Sequence, residues 1–183
     1  MTPSSSGLRA VRAAYGRAHL VAGARGVAIA GALSVLAVGL HRTTDATWLV
    51  AGILAITLGV LGWRGGPSRR GSLAGVLAGV PPLLAPGLVT LLSHGGHCPS
   101  CATAPSLACV LLCFGTSALV GAAVGHHATR DASPRRFALA AIATAALTGA
   151  LGCGTTGFGG AIGVGIGLVA GGLTGWVTAE RAI

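Results

Sequence analysis

Residues 158–178 read FGGAIGVGIGLVAGGLTGWVT, and this stretch determines the class of fold. It carries no charged residue, and it is long enough to cross the hydrocarbon layer of a membrane, since a helical crossing takes about 20 residues. Glycine recurs in it at every fourth position, and on a helix this spacing forms a groove where another backbone approaches closely. The glycines concerned are Gly159, Gly163, Gly167, Gly171 and Gly175. We therefore expect a membrane helix that packs through small residues.

The rest of the chain repeats this character. Of its 183 residues, 52% are hydrophobic and only 8% are charged, whereas soluble domains carry about 25% charged residues. Five further apolar runs precede residues 158–178 in the chain, at about 26–40, 48–63, 73–92, 107–125 and 137–153. The first two are short for a crossing. The fold class predicted is all-α, a polytopic membrane protein with six transmembrane helices.

The arginines predict the orientation of these helices. Eleven fall in segments that alternate along the chain, namely Arg9, Arg12, Arg17, Arg25, Arg64, Arg69, Arg70, Arg130, Arg135, Arg136 and Arg181. Only Arg42 falls on the other side. Because loops rich in arginine stay in the cytoplasm, both termini are predicted to be cytoplasmic, in a bacterial inner membrane. The domains are then a basic arm (1–25), a transmembrane domain (26–178) and a tail (179–183).

The acidic residues limit the function. Asp45, Asp131 and Glu180 are the only acids, and all three lie outside the predicted spans. Transporters coupled to protons or cations hold ionisable groups inside the bilayer, so coupled transport is not expected. Paired carboxylates, a Ser/His/Asp arrangement and a phosphate-binding loop are also missing from the sequence. An enzyme is therefore less expected than a non-enzyme, and direct contact with nucleic acid is not expected.

Glycine spacing recurs outside the last run. Gly71, Gly75 and Gly79 repeat it in the third run, and Ser117, Gly121 and Gly125 repeat it in the fourth. Such stripes are typical of close packing between helices of one bundle. They are also compatible with a seam between two copies of the chain, so a homo-oligomer stays open.

Thiols and imidazoles converge on the predicted outer side. The loop after the third run reads His94-Gly-Gly-His97-Cys98-Pro-Ser-Cys101. The fourth run carries Cys109 and Cys113, one helical turn apart on one face, and the fifth ends at Cys153. Three interpretations stay open: a structural disulfide in an oxidising compartment, a C-x-x-C redox centre, and a site for a soft or borderline metal such as Zn or Cu.

The segment before the first run predicts a basic amphipathic helix. Leu8, Val11 and Tyr15 fall on one face, and Arg9 and Arg12 lie off it. Such a helix rests on anionic headgroups of the lipid bilayer, or it docks in the groove of an acidic cytosolic protein.

Together, the arm Leu8–Arg25, the outer cysteines Cys98, Cys101 and Cys153, and the six-span plan resemble the membrane-embedded bacterial anti-sigma factors. The resemblance implies a cytosolic sigma factor as the partner of the arm, and a stress signal received by the outer cysteines. We therefore expect a membrane regulator that senses metal or oxidant. The alternatives are a membrane thiol oxidoreductase and a passive channel or metal importer.

Overall fold

The computed structural model describes residues 5–40, 45–92, 107–153 and 158–181, and every element in these ranges is a helix. The prediction of an all-α fold is confirmed. In chain order the six helices are α1 (Ser5–Leu40), α2 (Asp45–Arg64), α3 (Gly66–Leu92), α4 (Leu107–Ala128), α5 (Pro134–Cys153) and α6 (Phe158–Arg181).

Local chemistry sets the two tight connections between helices. Gly65 and Gly66 have φ of 66° and 62°, in the left-handed region that glycine enters without steric cost, so α3 starts directly after α2. Ahead of α5, the amide of Ser133 donates to the Asp131 carboxylate at 3.1 Å. Pro134 then opens the helix, where its fixed φ suits the first turn and its missing N–H costs nothing.

The helices associate as three pairs. In the first pair, α1 and α2 run antiparallel: a Cβ on Gly26 would lie 2.7 Å from the Leu58 carbonyl oxygen, and one on Gly62 would lie 2.9 Å from that of Ala22. The close approach at both positions requires glycine.

The other two pairs are parallel, and each joins helices that are not neighbours in sequence. Along α3 and α5, Gly71 faces the backbone of Phe137, Gly75 that of Ala141, and Gly79 that of Ala145. Both residue numbers rise together, which defines a parallel pair. Between them the Thr144 hydroxyl, which is buried, lies 2.8 Å from the Ala140 carbonyl oxygen of its own helix and 3.1 Å from that of Ser72 on α3.

The pair of α4 and α6 is parallel as well, and its contacts are reciprocal. Gly121 of α4 faces the Leu168 carbonyl of α6, and Gly171 of α6 faces the Ala118 carbonyl of α4. The two contacts are equivalent, because Gly171 lies 50 residues after Gly121 and Leu168 lies 50 residues after Ala118. The contacts of Gly125 with Gly172 and of Gly175 with Ala122 obey the same relation. The two helices are thus related by an approximate twofold axis along their length.

Alanine, glycine and threonine fill much of the inside, together with a few leucines such as Leu54 and Leu168, and many large apolar side chains lie on the outside. Ala141, Ala145 and Thr144 are fully buried, whereas Leu119 and Leu139 are 76% and 71% exposed. Helices α1, α2, α4 and α6 each hold a stretch long and apolar enough to cross a membrane. These stretches are Ala14–Gly39, Thr47–Arg64, Leu111–Ala128 and Ala161–Arg181. The exposed apolar surface suits contact with a lipid bilayer.

Candidate functional site

The bundle has two chemically different ends. Helix α3 ends, α4 begins, α5 ends and α6 begins at one of them, and we call it the cysteine end because Cys109 lies near the start of α4 and Cys153 is the last residue of α5. At the opposite end α2 ends, α3 begins, α4 ends and α5 begins. Arginines cluster there, and we call it the arginine end.

Most of the predicted thiol and imidazole ligands lie outside the described residues. These are His94, His97, Cys98 and Cys101, which belong to residues 93–106 between α3 and α4. Cys109 and Cys153 are placed on their helices, but their side chains are not described. Within the described part of the chain, no three His, Cys, Asp or Glu side chains group around a point where a metal ion would fit. The metal or redox site stays a prediction.

Cys113 is the one predicted ligand whose side chain is described. It is 4% exposed and belongs to an apolar cluster with Ala145, Val164 and Leu168. Thiols of this kind behave as small hydrophobic side chains. Cys113 therefore packs in the core where α4, α5 and α6 meet.

The pairing of the helices determines what the connections at the cysteine end join. Helices α3 and α5 form one parallel pair and α4 and α6 form the other, so every connection from α3 to α6 passes from one pair to the other. Residues 93–106, which hold His94, His97, Cys98 and Cys101, and residues 154–157, which follow Cys153, are the two such connections at the cysteine end. At this end the chain therefore passes from one pair to the other within residues 93–106 and again within residues 154–157.

At the arginine end, an ion pair joins α3 to the connection between α4 and α5. Arg70, at the start of α3, lies 4.0 Å from the Asp131 carboxylate, which is 11% exposed. Nearby, Arg130 donates to the His126 ring at 3.1 Å. Because the Arg70 side chain is 81% exposed and lies at the far limit of ion-pair distance, the pair contributes about 0–1 kcal/mol, so it orients the loop more than it stabilises the fold.

The predicted arm is the first part of one long helix. In the α1–α2 pair, Ala22 meets Gly62 and Gly26 meets Leu58, which places Leu20 opposite Arg64. Residues 5–19 therefore project beyond the end of α2 by about 20 Å at 1.5 Å per residue. Of the predicted partner-binding residues Leu8, Arg9, Val11, Arg12 and Tyr15, only the side chain of Tyr15 is described, and it is 68% exposed.

His19 fixes the base of this projection, a role that the sequence did not reveal. Its Nδ1 donates to the backbone carbonyl of Trp63 in the last turn of α2, where carbonyls lack helical partners. Its ring lies 4.2 Å from the Tyr15 ring, centroid to centroid. A contact across 44 residues of sequence leaves no local signal by which to find it.

Comparison with known proteins adds no family to these observations. The chain matches no protein family, no curated protein and no solved structure.

Proposed function

We propose that the chain is an integral membrane protein of a bacterial inner membrane, with six crossings and both termini in the cytoplasm. One observation supports the location in a membrane, and a second supports the orientation. Large apolar side chains such as Leu119 and Leu139 face outward along the bundle, and the arginines of α2, α3, α5 and α6 lie at one end, where positive-inside orientation puts the cytoplasm. The first predicted run, residues 26–40, is short for a crossing. Because α1 lies beside α2 from Leu20 onward, we take residues 20–40 as the first crossing.

The function we propose is that of a regulator that responds to metal or oxidant through cysteine and histidine residues at the cysteine end. The observation that supports it is the order of the helices, because residues 93–106, which hold His94, His97, Cys98 and Cys101, follow a helix of one parallel pair and precede a helix of the other. Cys98 and Cys101 lie in a connection between the two parallel pairs, and Cys109 and Cys153 lie at the ends of helices from different pairs. A disulfide or a metal bound across this junction would bias how the two pairs sit against each other.

The packing supplies a means of transmission. Within each pair, glycines bring backbone against backbone, as at Gly171 with Ala118, so each pair moves as one unit. A shift imposed at the cysteine end therefore reaches the arginine end, where the Arg70–Asp131 ion pair joins α3 to the connection between α4 and α5. Such bistable sliding of packed helices is a common switching motion.

The output partner we propose is a cytosolic sigma factor bound by the arm, in line with the resemblance to membrane-embedded anti-sigma factors. The arm Leu8–Arg25 continues into the first crossing as one helix. A displacement of α1 would therefore move the arm without a hinge to absorb it. A thiol oxidoreductase is less well supported, because its second reactive pair would need Cys113, which is buried in the apolar cluster.

The test is the double variant Cys98→Ser/Cys101→Ser in the native host, with transcript profiles recorded after zinc, copper or peroxide stress. We expect the transcription response that depends on this protein to be lost. The matched control is Ser100→Ala/Ser106→Ala, which changes two residues of the same segment and keeps the thiols. An intact response in the double cysteine variant overturns the sensing role.

A further inference from the structure

A groove at the arginine end lies where α2, the start of α3 and α5 meet. Its volume is about 700 Å³, within the range of about 300–1,000 Å³ that is typical of small-molecule sites. Arg64 and Arg136 line its mouth, and Leu61, Leu139 and Ala143 line its wall. The groove thus joins a cationic mouth to an apolar surface.

The turn between α2 and α3 shapes this mouth. Gly65 and Gly66, both with positive φ, bring the start of α3 directly beside the end of α2, and both glycines line the groove. From Arg136 to Ala143 the wall follows α5 for about 10 Å at 1.5 Å per residue. Leu139 on that stretch is 71% exposed, so the wall opens sideways, toward the surface that faces lipid in the proposed orientation.

Within the described part of the chain, no carboxylate pairs with either arginine at the mouth. All three acids of the sequence are in described positions: Asp131 pairs with Arg70, Glu180 accepts a hydrogen bond from Trp176, and Asp45 begins α2 at the opposite end of the bundle. Among the described residues, Arg64 and Arg136 form no ion pair, and both are exposed. The mouth therefore presents two positive charges, which no described carboxylate neutralises, to an anionic group of another molecule.

We propose that the groove binds one molecule of an anionic phospholipid, with its phosphate between Arg64 and Arg136 and one acyl chain along Leu61, Leu139 and Ala143. Guanidinium groups suit phosphate through paired N–H donors, and basic pockets between helices on the cytoplasmic side are typical sites for anionic headgroups. The Ser68 hydroxyl also lines the groove and offers a further donor. The proposal rests on the membrane placement above and is independent of the sensing role.

Native mass spectrometry of the full chain in detergent, with phosphatidylglycerol or phosphatidylcholine added, tests the headgroup contacts. The variant is Arg64→Gln/Arg136→Gln, and the matched control is Arg135→Gln/Arg181→Gln, which removes the same charge from the same end but does not line the groove. We expect one tightly bound phosphatidylglycerol, held about tenfold more weakly by the groove variant than by the control. Equal weakening in both variants, or equal binding of phosphatidylcholine, overturns the proposal.

A second substitution tests the acyl-chain contact. Ala143→Leu fills the wall and should weaken phosphatidylglycerol binding, whereas Ala170→Leu, at an exposed position of α6 outside the groove, should not. Glycerol 3-phosphate, which has the phosphate but no chain, should fail to displace the lipid. Displacement by glycerol 3-phosphate at the lipid's own concentration would mean that the site recognises phosphate alone, and it would contradict the proposal. Because the measurement is made in detergent, a wrong orientation in the membrane would leave its result unchanged.

Discussion

The glycine contacts of α6 allow a stability difference to be worked out from two substitutions in one helix. A Cβ on Gly171 would approach the Ala118 carbonyl oxygen closer than 3.0 Å, whereas one on Gly165 would meet nothing within 4 Å. Gly→Ala inside a helix gains about 0.5–1 kcal/mol from backbone entropy, and this gain cancels between the two variants. What remains is the cost of overpacking, about 1–3 kcal/mol. The upper half of that range is expected, because the obstacle at Gly171 is helix backbone that cannot rotate away.

The measurement is unfolding in mixed micelles with increasing dodecyl sulfate, followed by the fluorescence of Trp176, which packs beside α4 and α5. A Trp48→Phe/Trp63→Phe background removes the other two tryptophans. Gly165→Ala should unfold at the same or a higher dodecyl sulfate fraction than the parent, and Gly171→Ala at a clearly lower one. If both variants unfold together, the backbone contact between α4 and α6 is not as close as described.

Three further outcomes follow from described contacts. The pair Ser72→Cys/Thr144→Cys should form a disulfide on mild oxidation in a background without other cysteines, and Ser72→Cys/Ala150→Cys should not; the reverse result would indicate that α3 and α5 are antiparallel. Ser117→Ala should leave the unfolding midpoint unchanged or raise it slightly, because the Ser117 hydroxyl is buried and lacks a hydrogen-bond partner among the described residues; a loss above about 1 kcal/mol would reveal a missing partner. His19→Ala should cost about 1 kcal/mol through its lost bond to α2, and faster amide exchange in the last turn of α2 would report it; unchanged exchange there would argue against the bond.

The sequence predicted where most helices lie, because apolar runs and arginine flanks are local signals. The predicted runs 107–125 and 158–178 differ from α4 and α6 by three residues at one end. The sequence divides the arm from the first run after Arg25, and the structure places both on one helix, α1, from Ser5 to Leu40; a charged residue on an exposed helix face does not interrupt the backbone hydrogen bonds.

Helix pairing could not be predicted in the same way. The glycines spaced four apart in α3 predict a closely packed neighbour but do not identify it. The neighbour, α5, presents alanine and threonine to these glycines and has no matching row of glycines. The interhelical approach of Thr144 to Ser72 spans 72 residues of sequence. The groove between Arg64 and Arg136 was missed for the same reason, since the two arginines come together only when α2 and α5 are placed.

In the proposed orientation, on which the regulatory role depends, the cysteine end faces outward and the arginine end faces the cytoplasm. Labelling intact cells with a membrane-impermeant maleimide tests this orientation, using one variant that keeps Cys98 as its sole cysteine and one whose sole cysteine is Ser68→Cys in the first turn of α3. We expect the Cys98 variant to be labelled in intact cells and the Ser68→Cys variant only after permeabilisation. Labelling of the Ser68→Cys variant from outside, with Cys98 protected, would show that the orientation is reversed.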